Sequence, residues 1–126
     1  MGLKITGFGG IALHVGNFKR AVAFYRDVLG LDVEVVAPGH FAQIPAVNIA
    51  LLGVGGRVTS GGFHIELAVD DVDAWHKRLT ELGAKVTSEP TDQPWGTRDF
   101  YVEDPDGHEL ELQSPVKRRR RRAESA

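Results

Sequence analysis

Five histidines and a pair of alternating glutamates are the side chains with the most chemistry to offer. The chain has no cysteine, which excludes thiol nucleophiles, disulfides, zinc ribbons and iron–sulfur clusters. Imidazole and carboxylate remain, and both suit a divalent ion such as iron, manganese, zinc or nickel. His64 is the second residue of the run FHIELAV at residues 63–69. Glu111 follows the turn Asp104-Pro105-Asp106-Gly107 by four residues and alternates with Glu109 around Leu110. A histidine at a strand start can also pack or hydrogen-bond within the fold, and one glutamate of an alternating pair can face water. A carboxylate turned towards a cavity instead needs a partner.

Helix and strand signals say what must hold these residues. Residues 5–15 read as a strand with a glycine-softened start. Asn17 reads as an N-cap, and Phe18, Ala21, Val22, Tyr25, Val28 and Leu29 then form one apolar helical face that ends at Gly30. Strand-like runs follow at 31–36, 41–44 and 47–52, and the Gly-rich stretch 53–62 reads as a linker. The order then recurs. Residues 63–69 form a strand, Asp71 caps, Val72, Trp75, Leu79 and Leu82 form a helical face, and Gly83 ends it. Strands follow at 85–88, 97–102 and 109–113, the last two joined by the Asp-Pro-Asp-Gly turn. Letters repeat as well as pattern: LGLDV at 29–33 returns as LGAKV at 82–86. The expected fold is therefore α+β, built from two βαβββ modules at about residues 5–57 and 59–114, within one domain spanning 1–116.

Strand parity adds candidates for ligand contact. His14 shares a face with Gly10 and Ala12, and Asn48 shares one with Ala50. Tyr101 lies ten residues before Glu111, on the expected neighbouring strand. Trp95, between Pro94 and Gly96, is either a lid over an apolar ligand or a packing plug. Arg98 has Asp99 and Glu103 as nearby partners, or a ligand anion.

The segments AVAFYRDVLGL at 21–31, HIELAVDDV at 64–72, PWGTR at 94–98 and FYVEDPDGHELEL at 100–112 resemble the vicinal oxygen chelate superfamily. That group includes glyoxalase I, bleomycin- and fosfomycin-resistance proteins and extradiol dioxygenases. The resemblance implies two curved mixed sheets around a cleft, with a divalent ion in the metal-dependent members. It puts His64 at the family's histidine ligand position and Glu111 at its carboxylate position. It also puts Gly10 and Ala50 where the ligands of module one belong, so a four-ligand site is not complete. His14 is no substitute, because four residues along a strand is roughly 13 Å. His40 and His108 fall in expected turns and His76 on a helix.

Two functions stay open on this reading. One is a glyoxalase-, bleomycin-resistance- and dioxygenase-like protein that binds a small organic molecule in its cleft, with a degenerate metal site. The other is a metal-dependent lyase, isomerase or dioxygenase using His64 and Glu111, with substrate oxygens completing the ion's shell. No catalytic residue is assigned. No apolar run reaches the ~20 residues of a membrane span, and no signal peptide is evident, so a cytoplasmic protein is expected. Residues 1–116 carry nine Lys and Arg against sixteen Asp and Glu, near −7, which argues against a nucleic-acid partner for the body. The basic run at 117–122 is expected to belong to a disordered tail, 117–126, where any nucleic-acid affinity would sit.

A two-module chain of this kind has open sheet edges and an apolar cleft for a second chain to cover, so a homodimer is expected. Sedimentation velocity should show a dimer, and a monomer at every concentration would contradict it.

Overall fold

The structure is a computed structural model that describes residues 2–116; the basic run at 117–122 lies outside the described residues. The chain forms two compact units, the first ending at Thr59 and the second beginning at Ser60. Among the described residues no helix is long and apolar enough to cross a membrane.

Unit one runs β1 (Ile11–Val15), α1 (Phe18–Ala23), a π-helical turn (Phe24–Val28), β2 (Glu34–Ala37), β3 (Phe41–Ile44), a 3₁₀ turn (Pro45–Val47) and β4 (Ile49–Gly53). Its sheet order is β1-β4-β3-β2, with β1 parallel to β4 and the other pairs antiparallel. Unit two runs β5 (His64–Ala68), α2 (Val72–Glu81), β6 (Lys85–Val86), β7 (Thr91–Asp92), β8 (Thr97–Glu103) and β9 (Glu109–Pro115). Its order is β5-β9-β8-β6, with β5 parallel to β9 and β7 also paired to β8. Unit one is thus a βαβββ module, and unit two is the same module with one further two-residue strand, β7; both sheets are mixed.

The helix starts are chemical. Asn17 Oδ1 accepts the Arg20 N–H at 3.0 Å, and Asp71 Oδ1 accepts the Ala74 N–H at 3.0 Å. Such caps contribute about 1 kcal/mol each. Gly30 and Gly83 follow the helical segments at φ 73° and 79°, the left-handed geometry a helix exit favours in glycine.

Several boundaries differ from the expected ones. The first strand starts at Ile11, not residue 5, because Gly10 takes φ 129° and breaks the extended run. The expected first helix is α-helical only to Ala23. It then widens, with Leu29 N–H bonding Phe24 O at 3.0 Å, and the adjacent rings of Phe24 and Tyr25 are both buried edge to face. Gly53 ends β4 rather than opening the linker, and its N–H donates to His40 O at 2.8 Å. Strand β7 carries no apolar alternation and was not expected; it pairs Thr91 with Asp99 and Asp92 with Arg98.

In unit two the core lies on one face of the sheet. Ile65, Phe100, Val102, Leu110 and Leu112 are buried there with Val72 and Leu79 of α2, which packs on β8 and β9. Because side chains alternate along a strand, His64, Glu66, Asp99, Tyr101, Glu109, Glu111 and Gln113 share the opposite face.

Phe100 is 0% exposed and meets His76 edge to face at 5.1 Å. Phe100→Ala should cost about 3–5 kcal/mol in urea unfolding. A loss below about 1 kcal/mol would show that this face is not the core.

Candidate metal centre

The parallel register of β5 on β9 sets Glu66 beside Glu111, and His64 beside Glu109. The antiparallel register of β8 sets Tyr101 on the other side of Glu111. Three strands thus bring four polar side chains together on one face. His64 Nε2 lies 3.2 Å from Glu111 Oε1 and 3.2 Å from Glu66 Oε2. One donor atom from each of these three residues lies within 4.8 Å of the others. The Tyr101 ring meets the His64 ring edge to face, with centroids 5.4 Å apart.

A second set of contacts orients this group. Gln113 Nε2 donates to Glu66 Oε1 at 3.2 Å, leaving Oε2 for His64. Gln93 Nε2 donates to Asp99 Oδ1 at 3.0 Å, whereas Asp99 Oδ2 is buried with no hydrogen-bond partner. Glu111 is 4% exposed although it lies on the face away from the helix. Burial pushes its carboxyl up to about 7, aided by the neighbouring Asp99 carboxylate and by the charge of Glu66, while His64 pulls it down. The same surroundings raise Tyr101, through burial first and then through Glu111, Asp99, Glu109 and Glu66.

This donor set fits a divalent cation. An imidazole nitrogen and carboxylate oxygens are borderline-to-hard ligands. Buried negative charge is costly without a counter-charge. Among the described residues, no Lys or Arg pairs with Glu66, Asp99 or Glu111.

Unit one has the same topology without the donors. Its register pairs Ala12 with Ala50 where unit two pairs Glu66 with Glu111. Counting back two residues, Gly10 stands at the place of His64. A Cβ at Gly10 would lie 3.0 Å from both Asn48 O and Asn48 Oδ1, at a φ that side chains rarely adopt. In place of donors, unit one has a cavity of about 470 Å³ lined by Gly10, Ala12, Phe41, Gln43, Asn48 and Ala50 among others.

The other expected site residues are placed as follows. His14 is exposed on β1, on the Ala12 face. Asn48 lies just before β4 in the left-handed region at φ 58°, so strand parity does not govern it, although it lines the cavity with Ala50. Trp95 is 71% exposed and plugs nothing within unit two. Arg98 pairs with neither Asp99 nor Glu103; it holds Asp73 at 2.8 Å and Asp92 at 3.0 Å. Glu66 was not singled out. Its signal was present, since it stands two residues from His64 on the same strand face.

The sequence model of the Glyoxalase/Bleomycin resistance protein/Dioxygenase superfamily matches residues 7–112. A probable lactoylglutathione lyase from Synechocystis is 27% identical over 122 residues, covering 79% of this chain and 88% of that protein. A lactoylglutathione lyase from Salmonella typhimurium is 29% identical over 116 residues, covering 79% and 86%. The fosfomycin resistance protein FosX from Listeria monocytogenes shares the fold, with a TM-score of 0.73 and 21% identity over 90% of this chain and 94% of that one.

The raised Glu111 carboxyl has a stability consequence. The folded chain keeps this proton up to about pH 7, while the unfolded chain releases it near the ordinary 4.5. The contribution is therefore present at low pH and lost as pH rises through 7. In chelator-treated protein, Glu111→Gln should gain melting temperature over wild type between about pH 5 and about pH 8, by at least about 3 °C. A difference that stays constant across that range would mean Glu111 is ionised throughout.

Proposed function

We propose a function for a chain that belongs to the Glyoxalase/Bleomycin resistance protein/Dioxygenase superfamily: it binds a small, oxygen-bearing organic molecule at the polar face of unit two, where His64 and Glu111 hold a divalent cation. The observation that carries this reading is the 3.2 Å approach of His64 Nε2 to a buried Glu111 oxygen. When bound, such an ion supplies Lewis acidity to an oxygen of the organic molecule.

The protein's own part is positional. Tyr101 braces the His64 ring by its edge contact, which limits the ring's rotation. Glu111 is held from three sides and presents one oxygen beside His64. An open hollow of about 440 Å³, lined by Phe63, His64, Glu103 and Glu109, leaves room beside the imidazole for a ligand. Lyase, isomerase and dioxygenase chemistry all fit a chelated substrate, and the lactoylglutathione lyases among the relatives favour the first two.

The unit-one cavity favours a second reading. Its named lining is uncharged and includes Phe41 and the amides of Gln43 and Asn48, which suits sequestration of a neutral molecule without an ion. Homodimerisation belongs to either reading. Leu3, Ile5 and Phe8 are almost wholly or largely exposed, an apolar segment suited to cover by a second copy. A cytoplasmic location is part of the same proposal.

A thermal-shift series separates the readings. On the metal reading, excess manganese or nickel should stabilise chelator-treated protein by about 2.7 kcal/mol at a hundredfold excess over Kd. Catechol, as a bidentate oxygen probe, should then bind only with the ion present, and His64→Ala should abolish both effects. Stabilisation by neutral aromatic ligands in chelator, with no response to any ion, would favour sequestration.

A further inference from the structure

A cation held by His64 and Glu111 alone would have two protein donors, and unit one offers neither of the ligands its register positions would supply. Gly10 is closed to a side chain by its backbone and by Asn48, and Ala50 carries no donor. Yet the polar face of unit two holds more negative charge than two ligands require. Glu66, Asp99 and Glu111 cluster there without a Lys or Arg partner among the described residues. Asp99 is 2% exposed, and its Oδ2 lacks a hydrogen-bond partner beside Glu111.

We propose that Glu66 replaces the missing donors, so that His64 Nε2, Glu66 Oε2 and Glu111 Oε1 form a cation site complete within unit two. The inference rests on the metal reading above and goes beyond it by naming the third ligand. Three observations support it. Glu66 Oε2 is already 3.2 Å from His64 Nε2, the same separation as Glu111 Oε1. Its other oxygen accepts from Gln113 at 3.2 Å, which fixes which oxygen faces the imidazole. Such second contacts are how proteins orient ligating carboxylates. Finally, the β5–β9 register holds Glu66 opposite Glu111, so the two carboxylates stay side by side without relying on a loop.

One imidazole and two carboxylates leave part of the coordination shell of a six-coordinate ion open for substrate oxygens. Asp99 stands beside Glu111 as a further negative charge, which draws a cation. Glu81 is exposed at the end of α2, away from the ligand hollow, and is not part of the donor group. It therefore serves as a control for general acidity.

The test is manganese binding to the full chain after chelator treatment, read by electron paramagnetic resonance of free manganese and by calorimetry. Wild type, Glu66→Gln, Glu111→Gln and Glu81→Gln are compared, with circular dichroism to verify folding. The expected result is one manganese per wild-type chain, binding at least about tenfold weaker in Glu66→Gln and in Glu111→Gln, and within about twofold of wild type in Glu81→Gln. If Glu66→Gln binds like wild type while Glu111→Gln is weakened, the inference is overturned and the His64–Glu111 reading survives. Equal weakening in Glu66→Gln and Glu81→Gln would also overturn it, because surface charge rather than ligation would then explain the loss. Wild type that binds no manganese, nickel or zinc at all would overturn the metal reading and this inference with it.

Discussion

A carboxylate buried on the polar side of a sheet must share a proton, meet a cation or accept several hydrogen bonds. Glu111 is that group here, and the chemistry of unit two is arranged around it. Within unit two, its neighbours on the sheet surround it. Tyr101 flanks it on β8 and Glu66 on β5, with His64 against its oxygen and Asp99 beside it. Each of those neighbours is held by strand pairing, and strand pairing depends on the apolar face beneath. Phe100, Leu110 and Leu112 bind β8 and β9 to α2, so the polar face is only as rigid as the core behind it.

The two units show how little of this follows from topology. Both are βαβββ modules with a parallel outer pair, and both put equivalent positions side by side. In unit one these positions hold glycine and alanines, and a cavity takes the place of a donor cluster. In unit two they hold histidine and glutamates, and electrostatics takes over. A fold can therefore keep its packing face constant while the opposite face is free to differ, because alternation along a strand separates the two sets of side chains. The exposed Trp95 and the Arg98 bridge to Asp73 and Asp92 belong to unit two but stand apart from the donor group.

The donor cluster is costly for the folded chain. Asp99 leaves one buried oxygen without a partner, and Glu111 keeps its proton up to about pH 7. Strained electrostatics of this kind tends to collect where a protein binds or reacts. Gln93 and Gln113 offset part of the cost, each donating an amide hydrogen bond to one carboxylate oxygen, and both leave the opposite oxygen available.

Much of this was legible in the residues alone. The caps Asn17 and Asp71, the helix exits at Gly30 and Gly83 and the apolar alternation of residues 109–113 follow from local physics, so the two modules could be read without coordinates. His64 and Glu111 stand out through the family resemblance of the segments that carry them. Glu66 does not, because nothing in a linear chain distinguishes it from a solvated glutamate; only the β5–β9 register brings it beside Glu111, 45 positions further on. The closing of Gly10 likewise needed its φ and the position of Asn48. Local signals decide elements, whereas the charge around a carboxylate depends on which strands become neighbours, and that is a long-range outcome of packing.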